Sequence, residues 1–306
     1  MVEEKLEIKK KKSKFTIFLT SIFGKTAGSI VFHILNYLFF IILLLIFFYP
    51  FFYVLKTSLI VNDISSGTPV KKLSFESYIL IFKNEGLLRA FLVSIGVVAV
   101  FVVIHVFLTI LSAYPLTRKN LKGRKFFLLF LVFTMLFSGG LIPYYILIKD
   151  LHLRDNILVY LIPGMISAFD IIIARNFINT IPEEIIESAR IDGAAEFTIL
   201  FKIVMPLTGP IIATIALWAG VGKWNDWMTG VLYMQNSKNL WMIQQFLRNI
   251  LITSTSGTGV VDPDIMMMAE GVKMAAIVVS VIPIMIIYPF VQKYFVKGVL
   301  LGSVKG

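Results

Sequence analysis

The sequence predicts an all-α integral membrane protein of six transmembrane helices, with both termini cytoplasmic and a cytoplasmic helical elbow. Three observations carry this. The 306 residues are 58% hydrophobic and only 15% charged, with a mean hydropathy of +0.85, against about 45–50% apolar and about 25% charged in soluble domains. Six apolar stretches reach the roughly 20 residues that cross a bilayer. The net charge of +11 is gathered into segments flanking those stretches, the pattern that orients membrane proteins rather than one that binds nucleic acid. This composition excludes an ordinary soluble enzyme. The lack of cysteine excludes disulfides, thiolate metal sites and a cysteine nucleophile, and leaves the redox compartment open.

Residues 1–29 form a basic arm with Lys5, Lys9, Lys10, Lys11, Lys12, Lys14 and Lys25. Within it Phe15, Phe18, Leu19, Ile22 and Phe23 recur at helical spacing, which fits either a short interfacial helix or an extension of the first span. The first span, 30–52, is too long for a secretory signal and carries no small-residue cleavage site. The remaining spans are expected at 88–116, 126–147, 157–178, 211–233 and 272–296, within a single transmembrane domain over 30–298. The loop after the second span holds Arg118, Lys119, Lys122, Arg124 and Lys125 with no acid, and is therefore cytoplasmic. The tail, 299–306, agrees, since no acidic side chain follows Glu270. Segments 57–86 and 235–271 then fall outside, long enough to touch a partner.

One inside loop reverses the charge pattern. Residues 179–205 hold Glu183, Glu184, Glu187, Asp192 and Glu196 against Arg190 and Lys202. Thr180-Ile181-Pro182-Glu183 predicts a helix start with a Thr cap, a first-turn proline and a capping-box Glu. That helix should end near Ile191. Asp192-Gly193 then breaks it, with Asp192 free to cap a second helix running through Phe197, Leu200, Phe201 and Val204 to Pro206 and Pro210. The small residues Ser188, Ala189, Ala194 and Ala195 let another protein approach the backbone, so the loop reads as a docking element.

Glu187-Ser188-Ala189-Arg190-Ile191-Asp192-Gly193-Ala194, with Phe197, Ile203, Met205-Pro206 and Pro210, resembles the EAA loop (179–210) of binding-protein-dependent ABC importer permeases. Ser112 to Lys119, Phe137 to Pro143 and Tyr288 to Gly298 are similar to the carbohydrate-uptake branch, in particular its MalG-like, LplC-like group common in Gram-positive bacteria. The resemblance implies a permease of the bacterial cell membrane that forms a heterodimer with a homologous permease, above two ATPase subunits and below an extracytoplasmic sugar-binding protein. It implies an ATPase-coupling role for Glu187, Ser188, Ala189, Asp192, Gly193 and Ala194. No GxxxxGK[ST] loop is present, so ATP and Mg²⁺ belong to a partner chain and this chain is a transport subunit, not an enzyme, with no cofactor of its own.

Polar groups within spans mark candidate pathway residues. Trp224, Asn225, Asp226 and Trp227 follow Lys223 in the fifth span; on one helix, Trp224 and Trp227 would share a face for stacking on sugar rings. An interfacial Trp belt with Lys223 paired to Asp226 fits equally. Asp170 and Arg175 read as a local polar pair or a snorkelling arginine. His33, His105 and His152 stand singly, so no metal site is expected. Gly139-Gly140 loosens or breaks the third span, Met266 to Met268 read as flexible packing, and 236–261 suits a mobile contact loop. The rival readings are an ABC permease for a non-sugar solute, an ion-coupled carrier, which would bury acids in several spans, and a membrane enzyme, for which no catalytic constellation is seen.

Overall fold

The computed structural model describes residues 27–63, 70–256 and 270–303. The expected interfacial helix and Met266 to Met268 lie outside the described residues. The chain divides into two compact units, Met1–Thr57 and Ser58–Gly306. In the first, helix α1 (Ala27–Ser58) is apolar around its whole circumference, the pattern of a helix whose solvent is lipid. At 1.5 Å per residue its 32 residues exceed the roughly 30 Å hydrocarbon core. Pro50 lies inside it.

The second unit departs from all-α at once, because Ile60–Asp63 (β1) pairs antiparallel with Val70–Leu73 (β2). The alternation is too short to stand out beside the spans. Helix α2 (Glu76–Lys83) leads into α3 (Glu85–Ala113), whose start is capped by Asn84 accepting the Leu87 N–H at 2.8 Å. A 3-10 turn at Pro115–Thr117 ends that crossing. The third span is broken as its glycines suggested. Helices α4 (Arg124–Leu136) and α5 (Leu141–Asp150) meet at 110°, with Gly140 at φ 85°, a conformation that glycine adopts without strain.

The expected continuous fourth span is replaced by α6 (Leu158–Leu161) and α7 (Ala168–Ile178). Pro163 and Gly164, the latter at φ 77°, interrupt a run that hydropathy alone cannot tell from a helix. Helix α8 (Glu183–Ile191) precedes α9 (Glu196–Leu207), which contains a π-helical segment, Leu200–Val204. Then α10 (Gly209–Trp224) turns away by 79°, and the buried Thr208 hydroxyl at the bend donates to the carbonyls of Val204 (2.9 Å) and Met205 (3.0 Å). The fifth span also stops short of expectation: α11 (Met228–Tyr233) is separate from α10. Part of the outer segment, expected to be a mobile loop, is helix α12 (Ile243–Ser256), with Ile243, Phe246, Leu247 and Ile250 buried. Helix α13 (Glu270–Ser303) closes the chain.

Among the described residues, three helices are long and apolar enough to cross a membrane, or up to five crossings if each bent pair is one span. Buried side chains of the second unit fall into three clusters. One packs Ile110, Leu116, Ile171, Ile178, Ile186, Ile199 and Val204, tying α8 and α9 to α3 and α7. A second centres on Trp224, Phe246 and Val279, and a third on Val97, Tyr160 and Met242.

Candidate functional site

The acidic loop folds as two helices joined at a glycine. Glu183 and Glu184 in the first turn of α8 and Arg190 in its last both complement the helix dipole. The cap differs from expectation. Pro182 occupies the N-cap position with no side-chain hydrogen bond, and the Thr180 hydroxyl donates back to the Phe177 carbonyl at 2.7 Å. The end of α7 thus captures Thr180 before it can serve α8. At the other end Gly193 has φ 80°, its N–H donates to Arg190 O (3.0 Å) and the Ala194 N–H to Ala189 O (2.9 Å), the paired bonds of a Schellman motif. Asp192 therefore closes α8 and does not cap α9, which starts after extended Ala195.

This elbow has distinct inner and outer faces. Ile186 and Ala189 are buried, Ala189 being the one predicted coupling residue on the inner face. Glu187, Ser188, Asp192 and Gly193 are exposed, and Ala194 is half-buried. A Cβ added at Gly193 would meet nothing within 4 Å, so the backbone there is open. Ile191 is 86% exposed and Phe197 68%, giving the projecting surface two apolar contacts as well as its carboxylates.

Glu196 fastens the elbow to the end of α3. Its Oε2 accepts the Tyr114 hydroxyl at 2.6 Å, and its Oε1 accepts Arg190 Nε at 2.9 Å and Nη2 at 2.7 Å. The Arg118 guanidinium lies 4.3 Å from the Tyr114 ring centroid. A cleft of about 480 Å³ opens beside them, lined also by Lys119 and Glu183, an exposed pair 3.2 Å apart. In the sequence Tyr114 lies within the Ser112 to Lys119 motif, and Arg190 and Glu196 within the acidic loop. Their meeting through Glu196 joins residues 82 apart in the chain, and no local periodicity signals that.

Asp170 and Arg175 do not pair with each other. Asp170 Oδ2 lies 3.0 Å from His105 Nε2, and His105 Nδ1 lies 2.9 Å from the Met165 carbonyl. A carbonyl only accepts, so Nδ1 is the donor of that bond. His105 is thus one half of a buried polar cross-link between α3 and α7. Arg175 and Arg124 both donate Nε to the Leu116 carbonyl at 2.9 Å, holding the turn after α3.

The candidate pathway residues separate. The helix ends at Trp224, so Trp224 and Trp227 do not share a face. Trp224 is 4% exposed; its Nε1 donates to Ser280 O at 3.0 Å and its ring packs edge-on against Phe91. Asp226 pairs with Lys223 at 3.1 Å, as the belt reading has it, and accepts the Thr229 N–H. Asn225 and Trp227 remain exposed, with Arg248 stacked 3.9 Å from the Trp227 ring centroid and Gln244 donating to Asn225 Oδ1 at 3.3 Å. The sequence singled out neither Arg248 nor Gln244, since both lie beyond the expected span. Nearby, Asp155 accepts from the Asn236 and Ser237 N–H groups at 2.8 and 3.1 Å. Although desolvation opposes it, these bonds hold the carboxyl below its ordinary pKa. Among the described residues no group of three or more His, Cys, Asp or Glu could hold a metal ion.

Broken apolar helices above a buried-root, exposed-tip elbow define a membrane transport subunit of the ABC importer kind. Residues 106–301 match the family described as binding-protein-dependent transport system inner membrane component, and the chain belongs to that family. It is 41% identical over 287 residues to the polygalacturonan/rhamnogalacturonan transport system permease protein YtcP of Bacillus subtilis (strain 168), covering 90% of this chain and 99% of that protein. It is 37% identical over 287 residues to protein LplC of the same organism, with 92% and 97% coverage. Its fold is similar, at a TM-score of 0.79 and 28% identity, to a chain of a bacterial ABC transporter involved in the import of the acidic polysaccharide alginate, covering 89% of this chain and 99% of that one.

Proposed function

We propose that this chain forms half of the translocation pathway of an ATP-driven importer for an oligosaccharide or glycoside. An extracytoplasmic sugar-binding protein delivers the cargo, a homologous permease supplies the other half, and two ATPase subunits dock beneath and carry the ATP and Mg²⁺. The chain crosses the cell membrane of a Gram-positive bacterium six times with both termini inside, the fourth crossing being made by α6, α7 and the turn between them. The relatives supporting a carbohydrate cargo include the permeases named for polygalacturonan/rhamnogalacturonan and arabinooligosaccharides.

The observation that carries the reading is the elbow. Glu187, Ser188, Asp192, Gly193 and Ile191 project from a base whose Ile186 and Ala189 are locked into the same core as Ile110 of α3 and Ile171 of α7. A rigid load seated on the tip then moves α3 and α7 with it, because packed cores shift as units. ATPase closure in this way becomes reorientation of the spans, while Asn225 and Trp227, with Asp226 and the buried Trp224 positioning them, face the cargo. Mild-detergent purification of this chain tests the reading: a second permease and an ATPase should accompany it, and Glu187→Lys should release the ATPase while the two permeases stay together. Recovery of a transport-competent homo-oligomer overturns it.

A further inference from the structure

Two cations stand at the outer end of the fifth crossing, and their surroundings differ. Lys223 is neutralised, its Nζ 3.1 Å from Asp226 Oδ2 and 4.6 Å from the Phe101 ring centroid, with the pair's side chains only 10% and 18% exposed. Arg248 has no carboxylate within ion-pair distance among the described residues; its guanidinium lies 3.9 Å from the centroid of Trp227, itself 38% exposed. Lys223, Asp226 and Arg248 together leave one uncompensated positive charge.

The scaffold behind Arg248 is firm. Helix α12 buries Ile243, Phe246, Leu247 and Ile250, and its first N–H, on Ile243, donates to the buried Ser94 hydroxyl of α3 at 2.7 Å. Gln244 and Arg248, four residues apart, therefore line the accessible side of α12, where residues at that spacing are neighbours. Gln244 reaches the exposed Asn225. The result is a shelf of one indole, two carboxamides and a guanidinium. Stacking on the indole holds a guanidinium plane in place while its edge N–H groups stay available, and that fork matches a carboxylate in bidentate geometry. Amides suit hydroxyls, and the indole edge suits an apolar sugar face.

We propose that Trp227, Arg248, Asn225 and Gln244 form a subsite for a uronic acid unit, so that the cargo is an acidic oligosaccharide and Arg248 sets the preference for its carboxylate. This rests on the importer reading. The complete importer, reconstituted in liposomes with its sister permease, ATPases and binding protein, is assayed for uptake of tri-galacturonic acid, its fully methyl-esterified form and maltotriose. Because the binding protein is unchanged, a shift of the acid-to-ester uptake ratio on mutating this chain reports the permease alone. Arg248→Gln should lower that ratio about tenfold or more, the scale of a lost charge-assisted bond. Arg248→Lys, which keeps the charge and loses the fork, should fall between. An equal loss for both cargoes makes Arg248 a strut for Trp227 and overturns the subsite. Wild-type uptake of maltotriose without galacturonate overturns the subsite and leaves the importer reading standing, whereas failure of the chain to assemble with an ATPase overturns that reading itself.

Discussion

Tyr114→Phe removes one hydroxyl and leaves the ring in its buried seat, where Tyr114 is 5% exposed. The lost bond is short, 2.6 Å to Glu196 Oε2, and its acceptor is charged, a class that contributes about 1.5–3 kcal/mol. The Glu196 side chain is 55% exposed, so water recovers part of that, and about 1–1.5 kcal/mol is expected. That is roughly a five- to tenfold rise in the population of elbows detached from α3. Arg190 still holds Glu196 by two contacts, so α8 and α9 stay joined and the ATPase should still co-purify. Hydrogen exchange on the reconstituted importer should show the Gly193 and Ala194 amides exchanging several-fold faster, with transport per ATP hydrolysed falling. Glu196→Gln should act similarly, and the double variant should cost less than the two together, because both break one contact. Lys119→Ala is the control: its pair with Glu183 is 78% and 55% exposed and contributes almost nothing. Unchanged exchange and unchanged coupling in Tyr114→Phe would refute the anchoring role.

Gly193→Ala should lower thermal stability in detergent by about 1–2 kcal/mol through left-handed backbone strain alone, since nothing lies near the added Cβ; a larger residue there should in addition weaken ATPase capture. Asp170→Asn keeps a partner for His105 Nε2 and should melt within about 1 kcal/mol of wild type, whereas Asp170→Ala orphans a buried ring nitrogen and should cost about 1–3 kcal/mol. Trp224→Phe should cost about 2–4 kcal/mol, having lost both volume and the bond to Ser280, with a lowered melting temperature as the measure. Asp155, with its folded pKa depressed, stabilises the turn at 236–237 above its unfolded value of 3.8 and loses that contribution as pH falls through the depressed folded value; exchange at the Asn236 and Ser237 amides should therefore accelerate only in that acid window, and in Asp155→Asn should be faster than wild type at neutral pH.

The legible parts were those encoded locally. In lipid the backbone must satisfy its own hydrogen bonds, which favours helix in long apolar runs, and α1, α3 and α13 fall where hydropathy placed spans. Gly193 was legible because an isolated glycine after a helical repeat has few other uses. The fourth and fifth spans were misplaced for a related reason: apolar content does not distinguish one helix from two, and the breaks at Gly164 and after Trp224 depend on what packs around them. The cap of α8 failed because the Thr180 hydroxyl donates to the Phe177 carbonyl at the end of α7 and Pro182 takes the N-cap position.

Composition and charge order alone carried the apolar, lipid-facing character of this chain and marked its basic loops and its one acidic elbow, since hydration acts on residues one segment at a time. Only the tertiary structure decided which of those residues are buried, exposed or paired. It buried Trp224 and Ala189, left Trp227 and Ile191 outside, paired His105 with Asp170, brought Tyr114 to Glu196 and set Arg248 on an indole. Burial and pairing of this kind join segments distant in the chain, and their energy exists only once the helices have packed.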